Sequence, residues 1–378
     1  MLEVSSEAMP PVPYHYNQFP PTQLDLQKLV PLIGPATLAL GDFKGTLDGI
    51  PDQRVLLSPL TAQEAVLSSK IEGTHATLGE VLEYEAGGEP TDSEERRNDI
   101  QEISNYRLAI QHAADRLAEI PLCGRLLKEA HGILMQGVRG KNKSPGNYRS
   151  IQNAIGSPGG TIETAKFLPI SPEKLEDGMS SWERFMHQEG QDPLIQLAIV
   201  HVEFEALHPF LDGNGRLGRM LIPLFLRARG MLGYPSFYLS EFLEAHRDEY
   251  CERLRAVSRD GDWTGWCAFF LKAMKVQAQE NTRKARAIMD LYEKRKQWMV
   301  EQTHSQYAIH ALDFFFRQPI FKSTHFWKMG KIPDQTARAI LRKVRDKLLV
   351  ELRPSSGRSP AIYAYRELMN IAEGRELF

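Results

Sequence analysis

The residue types and spacings in this chain that could do chemistry converge on one stretch, His208-Pro-Phe-Leu-Asp-Gly-Asn-Gly-Arg-Leu-Gly-Arg219. Proline disfavours helix for the residue before it, so Pro209 should end a helix at His208 and leave that imidazole beside a loop. Gly213 and Gly215 permit positive φ and a concave row of backbone N–H groups. A helix starting near Arg216 would point its positive dipole end at the same place, which makes the loop an anion site. Arg216 and Arg219, three residues apart, leave one face of the first turn and can fork onto neighbouring phosphates. Asp212 is the odd negative charge, and a carboxylate beside bound phosphates is explained by Mg²⁺ between them. Asn214 can donate its side-chain amide to a phosphate oxygen.

Three other readings stand beside this one. Gly213-Asn-Gly-Arg-Leu-Gly218 satisfies G-x-G-x-x-G, and Val200-His-Val-Glu-Phe-Glu-Ala206 alternates like a strand, as in a dinucleotide-binding turn. Against it, 194–208 is long enough for a helix, Pro209 intervenes, and no βαβ series surrounds it. His201, Glu205 and His208 have the spacing to hold a metal on one helix face, although an isolated helical histidine is more often a hydrogen-bonded core residue. A capped loop between two helices would need neither two arginines nor a His and Asp together. A Walker A sequence is absent.

The elements that must position the stretch follow from composition and periodicity. The 378 residues suffice for two or three domains at roughly 100–200 residues each. A net charge of −2, with 25% charged residues, excludes a uniformly basic nucleic-acid binder and an acidic disordered chain. Cys123, Cys251 and Cys267 never form C-x-x-C, so a reducing cytoplasm is the expected compartment. No run reaches the ~18 apolar residues of a membrane span and no leader pattern is visible, so neither secretion nor a membrane is expected.

Pro10, Pro11, Pro13, Pro20 and Pro21 make residues 1–21 an extended arm. From 22 to about 88 the pattern is helical, with breaks at Gly34-Pro35, Gly49-Ile-Pro51 and Pro59 and a helix beginning at Thr61 or Gln63. Nine acids between 80 and 102 face only Arg96 and Arg97, and with the loop Gly87-Gly88-Glu89-Pro90 they read as a solvated face. Helices follow over 100–117 and 122–135, ended by Gly137, Gly140, Pro145 and Gly146. Residues 149–155 and 161–167 then form a hairpin around Gly156-Ser-Pro-Gly-Gly160. Further helices are expected at 173–188, 194–208, 216–229 and 241–258, and a long one after Trp266 that ends near 302–304.

The last 74 residues change character. A helix around 305–317, a second over 321–329, a break at Gly330-Lys-Ile-Pro333, a helix from an Asp334 N-cap through Lys347, and two strands at 349–353 and 361–365 are the order of a winged helix-turn-helix. Between 321 and 366 there are 11 Lys/Arg against 3 Asp/Glu, so this segment carries +8 and the rest −10. Arg338, Arg342, Lys343, Arg345, Lys347, Arg353 and Arg358 favour DNA phosphates, while a protein contact or a dimer is the other use of such a module.

The central stretch resembles the signature of the Fic (filamentation induced by cAMP) family of nucleotidyl transferases, H-P-F-x-[DE]-G-N-G-R-x-x-R, at every specified position. Residues 149–167, followed by Leu168-Pro169-Ile170-Ser171-Pro172, resemble the family's flap hairpin. Ser68-Ser-Lys-Ile-Glu72-Gly73 resembles its inhibitory motif [S/T]-x-x-x-E-[G/N], placed as in the class with an N-terminal inhibitory helix and often a C-terminal winged helix. The implied fold is mainly α: a helical core with a small β-hairpin flap, plus a winged helix-turn-helix. Its divisions would be an N-terminal region 1–100, a core 101–275, a connecting helix 276–304 and a winged helix 305–378.

Members of this family typically transfer AMP from ATP to a Ser, Thr or Tyr hydroxyl of a target protein and release pyrophosphate. The resemblance implies His208 as general base, suited by an imidazole pKa near neutrality. It implies Asp212 as Mg²⁺ ligand and an ATP site of Gly213, Asn214, Gly215, Arg216, Leu217, Gly218 and Arg219, with Arg216 on the β-phosphate and Arg219 on the γ-phosphate. Tyr250 would pack near the adenine, and Ser258 stands where the family often has Asn. Ile162, Glu163, Thr164 and Ala165 would lie over the nucleotide, with the hairpin edge pairing to an extended target segment. Glu72, supported by Ser68 and followed by Gly73, would pair with Arg219 and displace the γ-phosphate. The implied partners are ATP and a hydroxyl-bearing protein, with DNA and a second copy as further candidates. An ATP-sensing DNA-binding regulator, or transfer of another phosphate-containing group, is the alternative function.

Overall fold

The computed structural model describes residues 10–88, 93–137, 142–156, 161–357 and 359–377. Helices dominate it. The first half holds β1 (Val12–Pro13), α1 (Leu26–Asp48), α2 (Gln53–Leu56), α3 (Ser58–Ile71), α4 (Leu78–Glu85), α5 (Glu94–Arg116), α6 (Gly124–Leu134), β2 (Phe167–Leu168) and α7 (Pro172–Met186). Next come α8 (Pro193–Leu207), α9 (Asn214–Ala228), α10 (Ser240–Ala245), α11 (Arg247–Asp260) and α12 (Trp263–Thr303). The chain closes with α13 (Ala308–Arg317), β3 (Ile320–Lys322), α14 (Ser323–Met329), α15 (Asp334–Leu348), β4 (Val350–Arg353), β5 (Ile362–Ala364) and α16 (Arg366–Glu373). Among the described residues no helix is long and apolar enough to cross a membrane.

The axis of the core is α8, whose residues are buried almost all round, as a helix apolar on every side must be. Its start is set by Asp192, which accepts from the N–H groups of Leu194 and Ile195, with Pro193 where a missing N–H does no harm. Trp182 of α7 and Trp266 of α12 donate to its Val200 and Ala198 carbonyls at 2.8 and 2.7 Å. Against α9 lie α3, α5 and α6, while α12 runs about 60 Å along α1 and out to the C-terminal elements.

Several expectations are corrected. The break at Gly34-Pro35 does not occur: Pro31 and Pro35 lie one turn apart on the exposed side of α1. There the carbonyls freed of their partners are open to solvent, while Leu29, Ala36, Leu40, Phe43 and Leu47 bury the other side. Helix α3 starts at Ser58 and takes Pro59 into its first turn. The helix expected over 241–258 divides at His246. Asp334 is the first residue of α15 and caps nothing with its side chain, pairing instead with Arg338 at 2.9 Å. The acid run is not a solvated face throughout, because Asp99 is buried and accepts from His75 N–H at 2.8 Å. Glu89, Pro90 and Asp92 of that run lie outside the described residues, as do Gly140 and Arg358.

The expected hairpin is reduced to one bridge, Ile155 to Phe167, and 157–160 lie outside the described residues. The other edge of β2 is taken by the N-terminal arm, whose β1 pairs in parallel with it. What fixes the arm there is Glu203, a fully buried carboxylate on α8 that needs donors. Tyr14 Oη supplies one at 2.6 Å and His15 Nε2 another at 2.8 Å, while His15 Nδ1 meets Ser258 Oγ at 2.6 Å. Among the described residues β2 is thus flanked by the arm and by Ile155, which leaves it no free edge for a target, and Ser258 faces the arm.

In the C-terminal elements β3, β5 and β4 form a three-stranded antiparallel sheet in that order. Phe314, Phe315, Phe321 and Phe326 interlock beneath it. The segment 321–329 begins as strand and only then turns helical, and α16 was not expected from the sequence.

Candidate active site

The loop after α8 is built by residues that satisfy its turns from inside. His208 ends α8 in the left-handed region (φ 48°, ψ 59°), with Pro209 next. Asn214 spans the loop: its Oδ1 accepts from Phe210 N–H at 2.9 Å and its Nδ2 donates to Phe210 O at 2.8 Å. That buried side chain staples the loop, whereas the sequence suggested an amide facing phosphate. Gly213 stands at φ 77°, and a Cβ there would meet Met135 Sδ at 2.9 Å. Helix α9 starts at Asn214, two residues earlier than expected, so by helical geometry the N–H groups of Asn214, Gly215 and Arg216 have no intrahelical acceptor and open into the concavity.

Beneath the loop lies His131 of α6, stacked on Phe210 with 3.8 Å between ring centres. Its Nδ1 accepts from Gly146 N–H at 2.9 Å, so Nε2 carries the proton and donates to Asp212 O at 3.0 Å. Burial pushes this imidazole down to about 4, which keeps it a neutral support.

Both arginines are buried and held from outside the loop. Arg216 Nη1 pairs with Glu102 of α5 at 2.9 Å, and its Nη2 stands 3.5 Å from Asp212 Oδ1. Arg219 Nε donates to Ser68 Oγ at 2.9 Å and its Nη2 to Ser68 O at 2.8 Å and Glu72 Oε1 at 2.6 Å. Burial disfavours the Arg219 charge, but the Glu72 carboxylate more than offsets it and raises the guanidinium above its usual range. Burial likewise opposes ionisation of Glu72, and Arg219 outweighs it, so the carboxyl is lowered. The Glu72 carboxylate occupies the space a Cβ at Gly215 would need, so an anionic group of the chain itself fills the mouth of the loop. Gly73 follows at φ 101° and lets α3 turn away.

His208 Nδ1 lies 3.3 Å from Glu205 O, an acceptor only, which assigns the ring proton to Nδ1 and leaves the Nε2 lone pair unbound. Burial pushes the imidazole down to about 4, below the near-neutral value expected from the sequence, so it is neutral at pH 7. Asp212 is 42% exposed and accepts from Gly213 N–H at 2.6 Å. No group of three or more His, Cys, Asp or Glu side chains is gathered as a metal site among the described residues. Asp212 is a single half-exposed carboxylate in the loop that could lend an oxygen ligand to a cation.

The remaining site residues are placed as follows. Tyr250 is buried and donates to His201 Nε2 at 2.9 Å, while His201 Nδ1 donates to Gly218 O at 3.0 Å. Both nitrogens of His201 are thus engaged, which removes the helical metal reading. Leu217 is buried and turns its side chain into the core, and Gly218 leaves room for the Glu205 carboxylate. Glu205 Oε1 has no hydrogen-bond partner among the described residues, and burial pushes that carboxyl up to about 7. Ile162, Glu163, Thr164 and Ala165 form a turn closed by Thr164 N–H to Thr161 O at 3.2 Å, where a strand was expected.

Sequence reasoning missed Glu102, His131 and Arg149. Arg149 Nε donates to His208 O at 2.9 Å and its own N–H to Pro209 O at 2.9 Å. A signal existed for the acids: Asp99, Ile103, Tyr106 and Ile110 recur at helical spacing on the buried side of α5, which brings Glu102 close to that face. None existed for Arg149, whose partners are all backbone.

Residues 30–115 match the Fic/DOC family N-terminal domain and residues 121–226 the Fic/DOC family domain, together about half of the chain. The chain belongs to the Fic/DOC family. It is similar to the protein adenylyltransferase fic-1 of Caenorhabditis briggsae, 30% identical over 116 residues that make up 29% of this chain and 22% of that one. The protein adenylyltransferase Fic of Culex quinquefasciatus is 33% identical over 121 residues, 31% of this chain and 21% of that one. The chain thus spans about a fifth of the length of these curated relatives. A crystal structure of a Fic family protein from Desulfovibrio desulfuricans G20 superposes with a TM-score of 0.58 at 20% identity, covering 89% of this chain and 95% of that one. For Fic-1 (aa134 - 508) from C. elegans the TM-score is 0.55 at 18% identity, over 70% and 75% of the two chains. These likenesses show the Fic fold.

Proposed function

We propose that this protein is an autoinhibited adenylyltransferase that moves AMP from ATP to a Ser, Thr or Tyr hydroxyl of a target protein. The observation that carries this reading is the Glu72 carboxylate held by Arg219 over Gly215, an anion of the chain itself in a cradle suited to phosphate. ATP would lay its phosphates on the α9 N-terminus, with Arg216 and Arg219 neutralising the β- and γ-phosphates. Mg²⁺ held by Asp212 would supply charge neutralisation to those phosphates. His208 Nε2 would take the proton of the target hydroxyl as that oxygen attacks the α-phosphorus and pyrophosphate leaves. Tyr250 and the turn at 162–165 would border the nucleoside. With β2 flanked by the arm and by Ile155, a target segment must pair elsewhere or be held by side chains.

The elements from α13 to β5 have the order that supports a winged helix over 305–378, behind a connecting helix within 276–304, a core 101–275 and an inhibitory region 1–100. Incubation with α-labelled ATP and Mg²⁺ tests the main reading. The wild type should label itself or an added protein slowly. His208→Ala should lose labelling by 100-fold or more, on the order of a general base's contribution, while ATP still binds. Retained labelling in that variant removes His208 as base, and no labelling by any variant removes the transferase reading.

A further inference from the structure

We propose that Arg149 is a positioning residue for His208, fixing the backbone of the residue and setting a permanent positive charge against the negative end of α8 beside it. The proposal rests on the reading of His208 as base. Arg149 is 3% exposed, yet forms no ion pair with a carboxylate among the described residues. Its guanidinium instead collects carbonyl oxygens: His208 O at 2.9 Å, Ile151 O at 3.1 Å, Leu207 O at 3.3 Å and, closest, Ile170 O. A cation taken out of water without a paired counter-ion is costly, and carbonyl dipoles at hydrogen-bond distance, with Glu173 farther off, compensate it here.

Two of those carbonyls, Leu207 O and His208 O, end α8. A helix C-terminus stabilises an imidazolium, which is the wrong state for a base. The charged groups that face His208 are Glu72 at the end of α3 and Asp212 in the loop, both favouring the proton, and Arg149, which opposes it together with burial. Glu205 contributes a carbonyl acceptor to Nδ1. A guanidinium is never deprotonated at working pH, so its opposition is permanent. Its contact with His208 O, together with the His208 N–H bond to Phe204 O at 3.0 Å, also fixes a non-glycine residue in the left-handed region. The same side chain therefore fixes the backbone that carries the ring and adds to burial in disfavouring its protonation.

Arg149→Gln and Arg149→Lys, made in the full chain, test this. First, the His208 ring proton is followed by NMR across pH in the nucleotide-free protein, assigned by its loss in His208→Ala. The Gln variant should move the His208 midpoint up by about one pH unit, and the Lys variant should leave it near wild type. Second, labelling kinetics should show kcat lowered about tenfold in both variants with KM for ATP little changed, and the acid limb of the rate profile raised only in the Gln variant. An unmoved midpoint in folded Arg149→Gln overturns the tuning role. If that variant does not fold, wild-type kcat in Arg149→Lys overturns the positioning role. Because the NMR readout needs no nucleotide, a shifted midpoint in a protein that transfers nothing would keep the Arg149 effect and remove His208 as base.

Discussion

On α9, Arg216 and Arg219 are 4% and 2% exposed and converge on one concave loop, whereas on α15 Arg338, Arg342, Lys343, Arg345 and Lys347 are spread over exposed positions. Their partners differ accordingly. Arg338 lies over Trp327 and pairs with Asp334, and Arg345 pairs with Asp346. Lys343 Nζ donates to Thr303 O at 3.0 Å and Lys347 Nζ to Gln302 Oε1 at 2.8 Å, both at the end of α12. Arg353 on β4 pairs with Glu83 of α4. Of the +8 of this segment, only Arg353 is thus paired with an acid of the −10 body among the described residues, while two guanidinium groups on α9 hold the Glu102 and Glu72 carboxylates. Convergence of donors matters here more than their number.

Within α9 the two arginines differ as well. Arg216 is held by Glu102, which is 13% exposed in the core, while Arg219 is held by Glu72, 40% exposed at the end of a helix. A carboxylate at a helix end can leave without unpacking the core, so Glu72→Gly should have the largest effect. Taking the pair as ~2 kcal/mol after allowance for solvent, its loss raises the labelling rate about 30-fold. An unchanged rate with saturating ATP and Mg²⁺ would sink the inhibitory role. The pH sense follows from the lowered Glu72 carboxyl: docking is fully present above the ordinary carboxylate range and is lost only as pH falls through the lowered value. Inhibition should therefore be constant between pH 6 and 8, within ~0.2 kcal/mol by the same linkage.

Glu102→Gln sharpens the contrast from the other side. It removes the partner of an arginine that nothing mobile holds, so the expectation is lost stability, ~1.5 kcal/mol because Asp212 remains nearby, and no gain in rate. Thermal unfolding and labelling measured on the same sample decide it. Activation comparable to Glu72→Gly would mean that both carboxylates guard the site.

The loop itself was legible in the sequence because its causes are local. Pro209 stops α8 and Gly213 takes the left-handed cap within one short stretch, whereas Asn214, read as facing phosphate, bonds back to Phe210 instead. The Glu72 to Arg219 pair joins α3 to α9 across 147 positions, and only a motif resemblance pointed to it. The hairpin failed for a related reason. Alternation in 149–167 cannot reveal that β2 pairs with an arm more than 150 positions earlier, nor that Glu203 anchors that arm through Tyr14 and His15. Helix α1 shows tertiary packing overriding two prolines, because both fall on its wet side. Arg149 was invisible, since backbone carbonyls leave no mark in a sequence.

The smallest predicted effect concerns α15. Lys343 closes the last turn of α12, so Lys343→Ala should lower stability by under ~1 kcal/mol, the scale of one helix-end cation. Labelling should not change, because Thr303 is far along the chain from the α9 loop and shares no partner with it. Binding of the full chain to duplex DNA at low salt is the discriminating measurement. If Lys343 serves α12 alone, the substitution leaves affinity and salt dependence unaltered. A weaker affinity whose dependence on log salt falls by about one would place Lys343 on a phosphate and turn the outer face of α15 into a nucleic-acid surface.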